Sequence, residues 1–189
     1  EHVTLHGTAR PDVRGGVARI AIRAVEASSI LSAPDQVPVT LVVPTVDGVL
    51  ADLEPLVAAV LARRPESTVF SWPFPGPGVT VSGVDAVLAA VRPAVHVLRE
   101  AGLDARIGGL PACLGGPEPA HRTRNRFYVD ADHQLADALL FFPDVVALAK
   151  PDTCRVCAFT AWCDGVARAW LEGGVVGLPE PIASPRGPC

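Results

Sequence analysis

Apolar and polar positions alternate over residues 2 to 5, HVTL, until Gly7 interrupts them, which predicts a short strand running into a loop. After the turn-like ARPDVRGG, residues 16 to 27 carry Val17, Ile20, Ala21, Ala24 and Val25 at helical spacing, so a helix is expected there. VPVTLVVPT, residues 37 to 45, is a nearly unbroken apolar and β-branched run, the pattern of a strand covered on both faces in a parallel sheet. Asp52 is placed to cap a helix with Leu53, Leu56, Val57, Val60 and Leu61 in one stripe. STVFSW, residues 67 to 72, predicts a third strand stopped by PFPGPG. Ser82 followed by Asp85 resembles a capping box, opening a helix with Val84, Val87, Leu88, Val91 and Val95 on one side. Pro93 is expected to kink or divide that helix and Gly102 to end it. ARIGGL, from residue 105, predicts a fourth strand.

Strands alternating with helices imply right-handed crossovers and a parallel sheet, so the fold class is α/β. Three or four parallel strands do not close a barrel, and the first would present an unpaired edge. The chain also holds no methionine, at position 1 or elsewhere. Together these features lead us to expect the back part of a longer protein, its N-terminal half on the same or a separate chain. From residue 110 onward GLPACLGGPEPAHRTRN is rich in turn formers, as suits a small irregular appendage. GGVVGLPEPIASPRGPC reads as a loose tail.

A chain of 189 residues, 49% hydrophobic, is enough for one sizeable core. Its net charge of −4 supplies no general attraction to nucleic acid or an anionic membrane, and neither is expected as a partner. The basic residues are arginines with one exception, Lys150. No apolar run is long enough to span a bilayer and the start lacks the zones of a secretory signal, so the cytoplasm is the expected location.

Three of the five cysteines fall in DTCRVCAFTAWCDG as C-x2-C-x5-C. The x2 step lets Cys154 and Cys157 converge on one ion across a tight turn, and the x5 step returns Cys163 to them. The natural fourth ligand is Cys113, whose flanking glycines in GLPACLGG let backbone approach a bulky centre. Disulfides are disfavoured by the odd count and the expected compartment. Spacing alone leaves zinc and an iron-sulfur cluster open. Cys189 is read as incidental. Trp72, Trp162 and Trp170 are read first as core aromatics, and His96, His121 and His133 as ordinary surface or satisfied histidines.

The run VTLHGTARPDVRGG, the strand and helix of VPVTLVVPTVDGVLADLEPLV, the proline-glycine loop of TVFSWPFPGPG, and GLPACL followed by C-x2-C-x5-C together resemble the C-terminal portion of a radical SAM enzyme. The first three are similar to the fourth, fifth and sixth strands of that family's partial barrel, the last to a SPASM or twitch extension. The resemblance implies the C-terminal half of a partial (β/α)6 barrel over residues 1–109, a cysteine-ligated extension over 110–172 and a flexible tail over 173–189. It implies an auxiliary 4Fe-4S cluster on Cys113, Cys154, Cys157 and Cys163, and S-adenosyl-L-methionine in the complete protein. His6, Thr45 and Asp47, at the C-terminal ends of expected parallel strands, are candidates to contact that cofactor or a substrate, against the plainer reading of polar loop residues. The catalytic CxxxCxxC loop is absent from this stretch, which alone is expected to be inactive. Ala167 stands where a full SPASM pattern has a further cysteine, which favours one auxiliary cluster. The substrate, a peptide or a small molecule, is not specified. The competing reading is a noncatalytic binding or assembly module with a structural zinc on the same four cysteines.

Overall fold

The computed structural model describes residues 2–6, 19–33, 37–76, 78–115, 148–160, 163, 165–177 and 180–183. His121, His133, Trp162 and Cys189 lie outside them. The chain divides into two compact units, Glu1–Ser71 with Val87–Ile107, and Trp72–Ala86 with Gly108–Cys189.

The first unit is built on a sheet in the order β1 (His2–His6), β2 (Arg19–Arg23), β3 (Val39–Pro44), β4 (Ser67–Ser71) and β5 (Ala105–Gly108). The first four strands are parallel, in the register Leu5↔Ile22, Ile22↔Leu41 and Leu41↔Thr68. Thr68 N–H donates to the Asp104 carbonyl at 2.8 Å and Trp72 N–H to the Gly108 carbonyl at 2.8 Å, and this constant offset makes β5 parallel to β4 as well. Strand order follows chain order with no reversal, so right-handed crossovers place their helices on one face.

β2 corrects the helix expected over 16–27. RIAIR fits both periods, because Ile20 and Ala24 are four apart while Ile20 and Ile22 alternate with Ala21 and the arginines. Two β-branched residues and a slot between β1 and β3 settle it in favour of a strand. A strand therefore intervenes between those likened to the fourth and fifth of the family barrel, and that numbering does not carry over. The next helix, α1, begins at Ala27 and ends at Leu31.

The two sheet faces differ in chemistry. In-register parallel strands alternate together, so Ile22, Leu41, Val43, Thr68 and Phe70 share one face, all buried to 4% exposure or less. Arg23, Thr40, Val42, Ser67 and Val69 share the other, where Arg23 is exposed, Thr40 and Val42 are half-buried, and Ser67 and Val69 are buried. Ser67 Oγ donates to Thr40 Oγ1 at 3.0 Å on that side. Parallel sheets sandwiched between helix layers are apolar on both faces, whereas here the first face is apolar but for Thr68 and the second mixes arginine and hydroxyl side chains with valines.

α2 (Asp47–Leu50) and α3 (Leu53–Arg63) follow β3. Asp52 occupies the N-cap position expected of it but makes no side-chain cap hydrogen bond. Leu56, Ala59 and Val60 form the buried part of the α3 stripe. α4 runs from Val84 to Glu100 as one helix through Pro93. The expected division at Pro93 does not occur, because Pro93 lies on the exposed side, where the carbonyl its missing N–H leaves free can meet water. Val87, Leu88, Val91, Ala94, Val95 and Leu98 are buried at i, i+3, i+4 spacing. The helix ends in a Schellman motif: Leu103 N–H reaches the Leu98 carbonyl at 3.0 Å, and Gly102 N–H the Arg99 carbonyl at 2.9 Å. Gly102 takes the φ of +76° that this motif needs. Leu98→Ala is expected to destabilise the fold by about 2–5 kcal/mol, because Leu98 is fully buried and its neighbours relax only partly around the lost volume. Urea unfolding monitored by circular dichroism checks this.

The second unit contains α5 (Ala112–Gly115), a two-stranded antiparallel ribbon of β6 (Leu148–Ala149) and β7 (Val166–Ala167), a 3-10 turn over Asp152–Val156, and α6 (Arg168–Glu172). Trp72 and Trp170 pack edge to face, centroids 6.3 Å apart at 72°, and Trp170 Nε1–H donates to the Pro73 carbonyl at 3.0 Å. Both are core aromatics, as expected. Residues after 172 are not all loose: Val176 is 2% exposed, and Ile182 accepts a hydrogen bond from Ala158 N–H at 2.9 Å. No helix among the described residues is long and apolar enough to cross a membrane.

Candidate metal centre

The segment from Pro151 to Cys163 is a chain of tight turns that carries three cysteines. Cys154 N–H donates to the Pro151 carbonyl at 2.8 Å, Cys157 N–H to the Cys154 carbonyl at 3.2 Å, Thr160 N–H to the Cys157 carbonyl at 3.0 Å, and Cys163 N–H to the Phe159 carbonyl at 2.9 Å. Each of these bonds spans three or four positions. Pro151 opens the first turn with its φ fixed at −55°, and the β6–β7 ribbon ties the two ends of the segment together.

Cys113 comes from a distant part of the sequence. β5 runs into a short loop and α5, where Leu114 N–H donates to the Pro111 carbonyl at 3.0 Å, and this turn carries Cys113. Cys113, Cys154, Cys157 and Cys163 line a single cavity of about 20 Å³, partly open to solvent. The rest of its wall is largely apolar, with Pro111, Phe159, Val166 and Ile182, and Lys150 also borders it. None of the four is in a disulfide among the described residues, and all are partly buried. The side chains as they stand form no group of three or more His, Cys, Asp or Glu that could hold a metal ion among the described residues. The sulfurs are gathered on the cavity wall.

Their mutual influence shows in the ionisation of Cys113. Burial first, then the negative charge that Cys163, Cys157 and Cys154 would carry, push its thiol up to about 11, with a backbone hydrogen bond pulling the other way. An unfolded thiol gives up its proton before the folded one does. Cys113 therefore adds stability below the ordinary thiol pKa and loses it as pH rises toward 11. In metal-free protein the melting temperature is expected to fall between pH 9 and 11 more in the parent than in Cys113→Ser, which lacks this titration. Thermal scans of both across that range check the sign. A cation removes the conflict, since thiolates that repel one another bind it together.

Two details fix the turn at Cys163. Gly165 N–H donates to Cys163 Sγ at 3.4 Å, a hydrogen bond that favours the anionic sulfur. Gly165 also has φ +92°, and a Cβ there would collide with the Ala149 carbonyl oxygen, so the chain can make this bond and enter β7 only with glycine.

The other candidates are placed as follows. His6 ends β1 in register with Arg23, and Thr45 and Asp47 follow β3, so all three lie at the C-terminal edge of the parallel sheet. Thr45 is wholly buried, and its Oγ1 donates to the Ser71 carbonyl at 3.2 Å, which ties β3 to β4. Asp47 stands in the first turn of α2. His96 pairs with Glu100 at 3.2 Å on the exposed side of α4, an ordinary surface contact. Lys150 is the residue near the centre that cysteine spacing does not reveal, although its being the sole lysine is a signal. No family model matches the chain, and no curated protein or solved structure matches it.

Proposed function

We propose that this chain is the C-terminal part of a radical S-adenosylmethionine enzyme and that Cys113, Cys154, Cys157 and Cys163 hold an auxiliary 4Fe-4S cluster. The observation that carries this reading is the arrival of Cys113 at the same cavity as the C-x2-C-x5-C turns. Four thiolates satisfy a cubane, and an apolar wall lowers solvent access around it. The sequential parallel sheet, one face of which carries Arg23, Thr40 and Ser67 among its valines, supports the barrel part of the reading, since the inner face of an open barrel needs polar groups to meet a ligand. Arg23, Thr40 and Ser67 would then face the substrate cavity. The radical-generating cluster and most of the S-adenosylmethionine contacts would belong to the preceding half-barrel, with His6 and Asp47 contributing at the strand ends. When bound, the auxiliary cluster supplies an electron-transfer centre or a structural anchor; this chain's own residues position it, exclude water and set its charge. We place the whole in the cytoplasm.

The test is anaerobic reconstitution with iron and sulfide. Broad visible absorption that dithionite bleaches, with iron and acid-labile sulfide in equal amounts, supports the cluster. A colourless protein that releases one zinc per chain instead supports the structural-zinc module and overturns the cluster.

A further inference from the structure

Lys150 is the sole lysine in a chain with sixteen basic residues, and it borders the cavity lined by the four cysteines. The surrounding geometry fixes where its charge goes. Its Nζ donates to the Thr160 carbonyl at 2.9 Å, and Thr160 lies within the loop that joins Cys157 to Cys163. Its stem passes Gly165 so closely that a Cβ there would stand 3.1 Å from Lys150 Cγ. Gly165 in turn donates to Cys163 Sγ. The side chain therefore runs past Gly165 and anchors its ammonium to the Thr160 carbonyl, in the stretch of sequence between Cys157 and Cys163.

We propose that Lys150 is the counter-charge of the four-cysteine centre: it lessens the excess negative charge of the bound group and so raises that group's electron affinity. This rests on the cluster reading above. Four thiolates around a 4Fe-4S core in its 2+ state leave two net negative charges, as do four thiolates around a divalent ion. Each further electron adds to that excess, and a fixed cation nearby opposes the cost. A lysine suits the position better than the arginine used everywhere else in the chain. Its compact point charge sits at the end of an unbranched stem that can lie against Gly165, whereas a planar guanidinium needs a wider fork of partners. Lys150 is exposed, so part of its field is screened by solvent and salt, and its influence must shrink as ionic strength rises.

The experiment uses the reconstituted chain with Lys150→Met, which keeps the stem and removes the charge, and Lys150→Arg, which keeps the charge. The readout is the midpoint of one-electron reduction by dithionite, followed by electron paramagnetic resonance at low and high salt. Lys150→Met is expected to shift the reduction equilibrium against the reduced form about fivefold or more at low salt, or about 40 mV downward. The shift is expected to narrow in high salt, and Lys150→Arg to recover most of it. A purely structural lysine would change cluster content or melting temperature with no salt-dependent change in potential. An intact cluster with the parent potential in Lys150→Met overturns the inference and leaves the cluster reading standing. If the parent takes up zinc and no cluster, cobalt(II) affinity becomes the readout. There a fivefold or greater loss in Lys150→Met, recovered in Lys150→Arg, supports the counter-charge, and equal affinities overturn it. A parent chain that holds neither cluster nor metal overturns both readings.

Discussion

Cys113→Ser is expected to abolish the visible absorption of the reconstituted protein and reduce its bound iron to a small fraction of the parent's. Cys189→Ser is expected to leave both unchanged. The expectation for Cys113 follows from its position. Cys113 lines the same cavity as Cys154, Cys157 and Cys163, and a hydroxyl in its place is a poor ligand to iron at neutral pH because it does not ionise. Three thiolates would then face a corner they cannot close, and the cluster would be open to water and loss. Iron and sulfide analysis after desalting, with the visible spectrum, reads the outcome. Full iron content in Cys113→Ser would show that the distant segment is no ligand and would remove the main support for the proposed centre. The same assay on Cys157→Ser is expected to give an equally complete loss.

Gly165→Ala is the second large effect, and it acts with no sulfur removed. A left-handed backbone costs a non-glycine residue about 1–2 kcal/mol, and here the added methyl also strikes the Ala149 carbonyl. Relief requires the chain to move where Val166 pairs with Ala149 and where Gly165 N–H meets Cys163 Sγ. Both ribbon and thiolate hydrogen bond should go together, so centre content is expected to fall steeply. Gly174 provides the control. Its φ of +68° is equally left-handed, but nothing lies within 4 Å of a Cβ added there. Gly174→Ala is thus expected to cost only the backbone strain, about 1–2 kcal/mol, with the centre retained. Thermal unfolding and iron content of both variants separate strain from collision. Similar losses in the two would mean that the Ala149 contact is not what confines position 165.

The α4 stripe shows how much local pattern can specify. Val84, Val87, Leu88, Val91 and Val95 are all legible as one buried side because a helix of sufficient length repeats its period several times over. β3 and β4 are legible for a related reason: runs such as VTLVV and STVF suit nothing but a covered strand. Arg19–Arg23 misleads as a sequence because five residues sample each period about once, and the deciding fact is the pair of strands on either side. Likewise the cost of Pro93 to the helix depends in part on whether its freed carbonyl is buried, and which side of α4 meets solvent is not a local property.

The centre divides along the same line. Spacing alone determined that Cys154, Cys157 and Cys163 could face one point, because x2 and x5 steps span turns whose reach is fixed by covalent geometry. It also determined the alternation of strand and helix that makes the fold α/β. Only the tertiary structure decided that Cys113 reaches the same cavity, that Lys150 lies along the turn of Cys163, and that one face of the sheet is sealed while the other is mixed and partly exposed. The reason is that hydrogen-bonded turns and helix periods are set within a few residues. Meetings between distant segments depend on how sheet register and ribbon pairing bring the whole chain together.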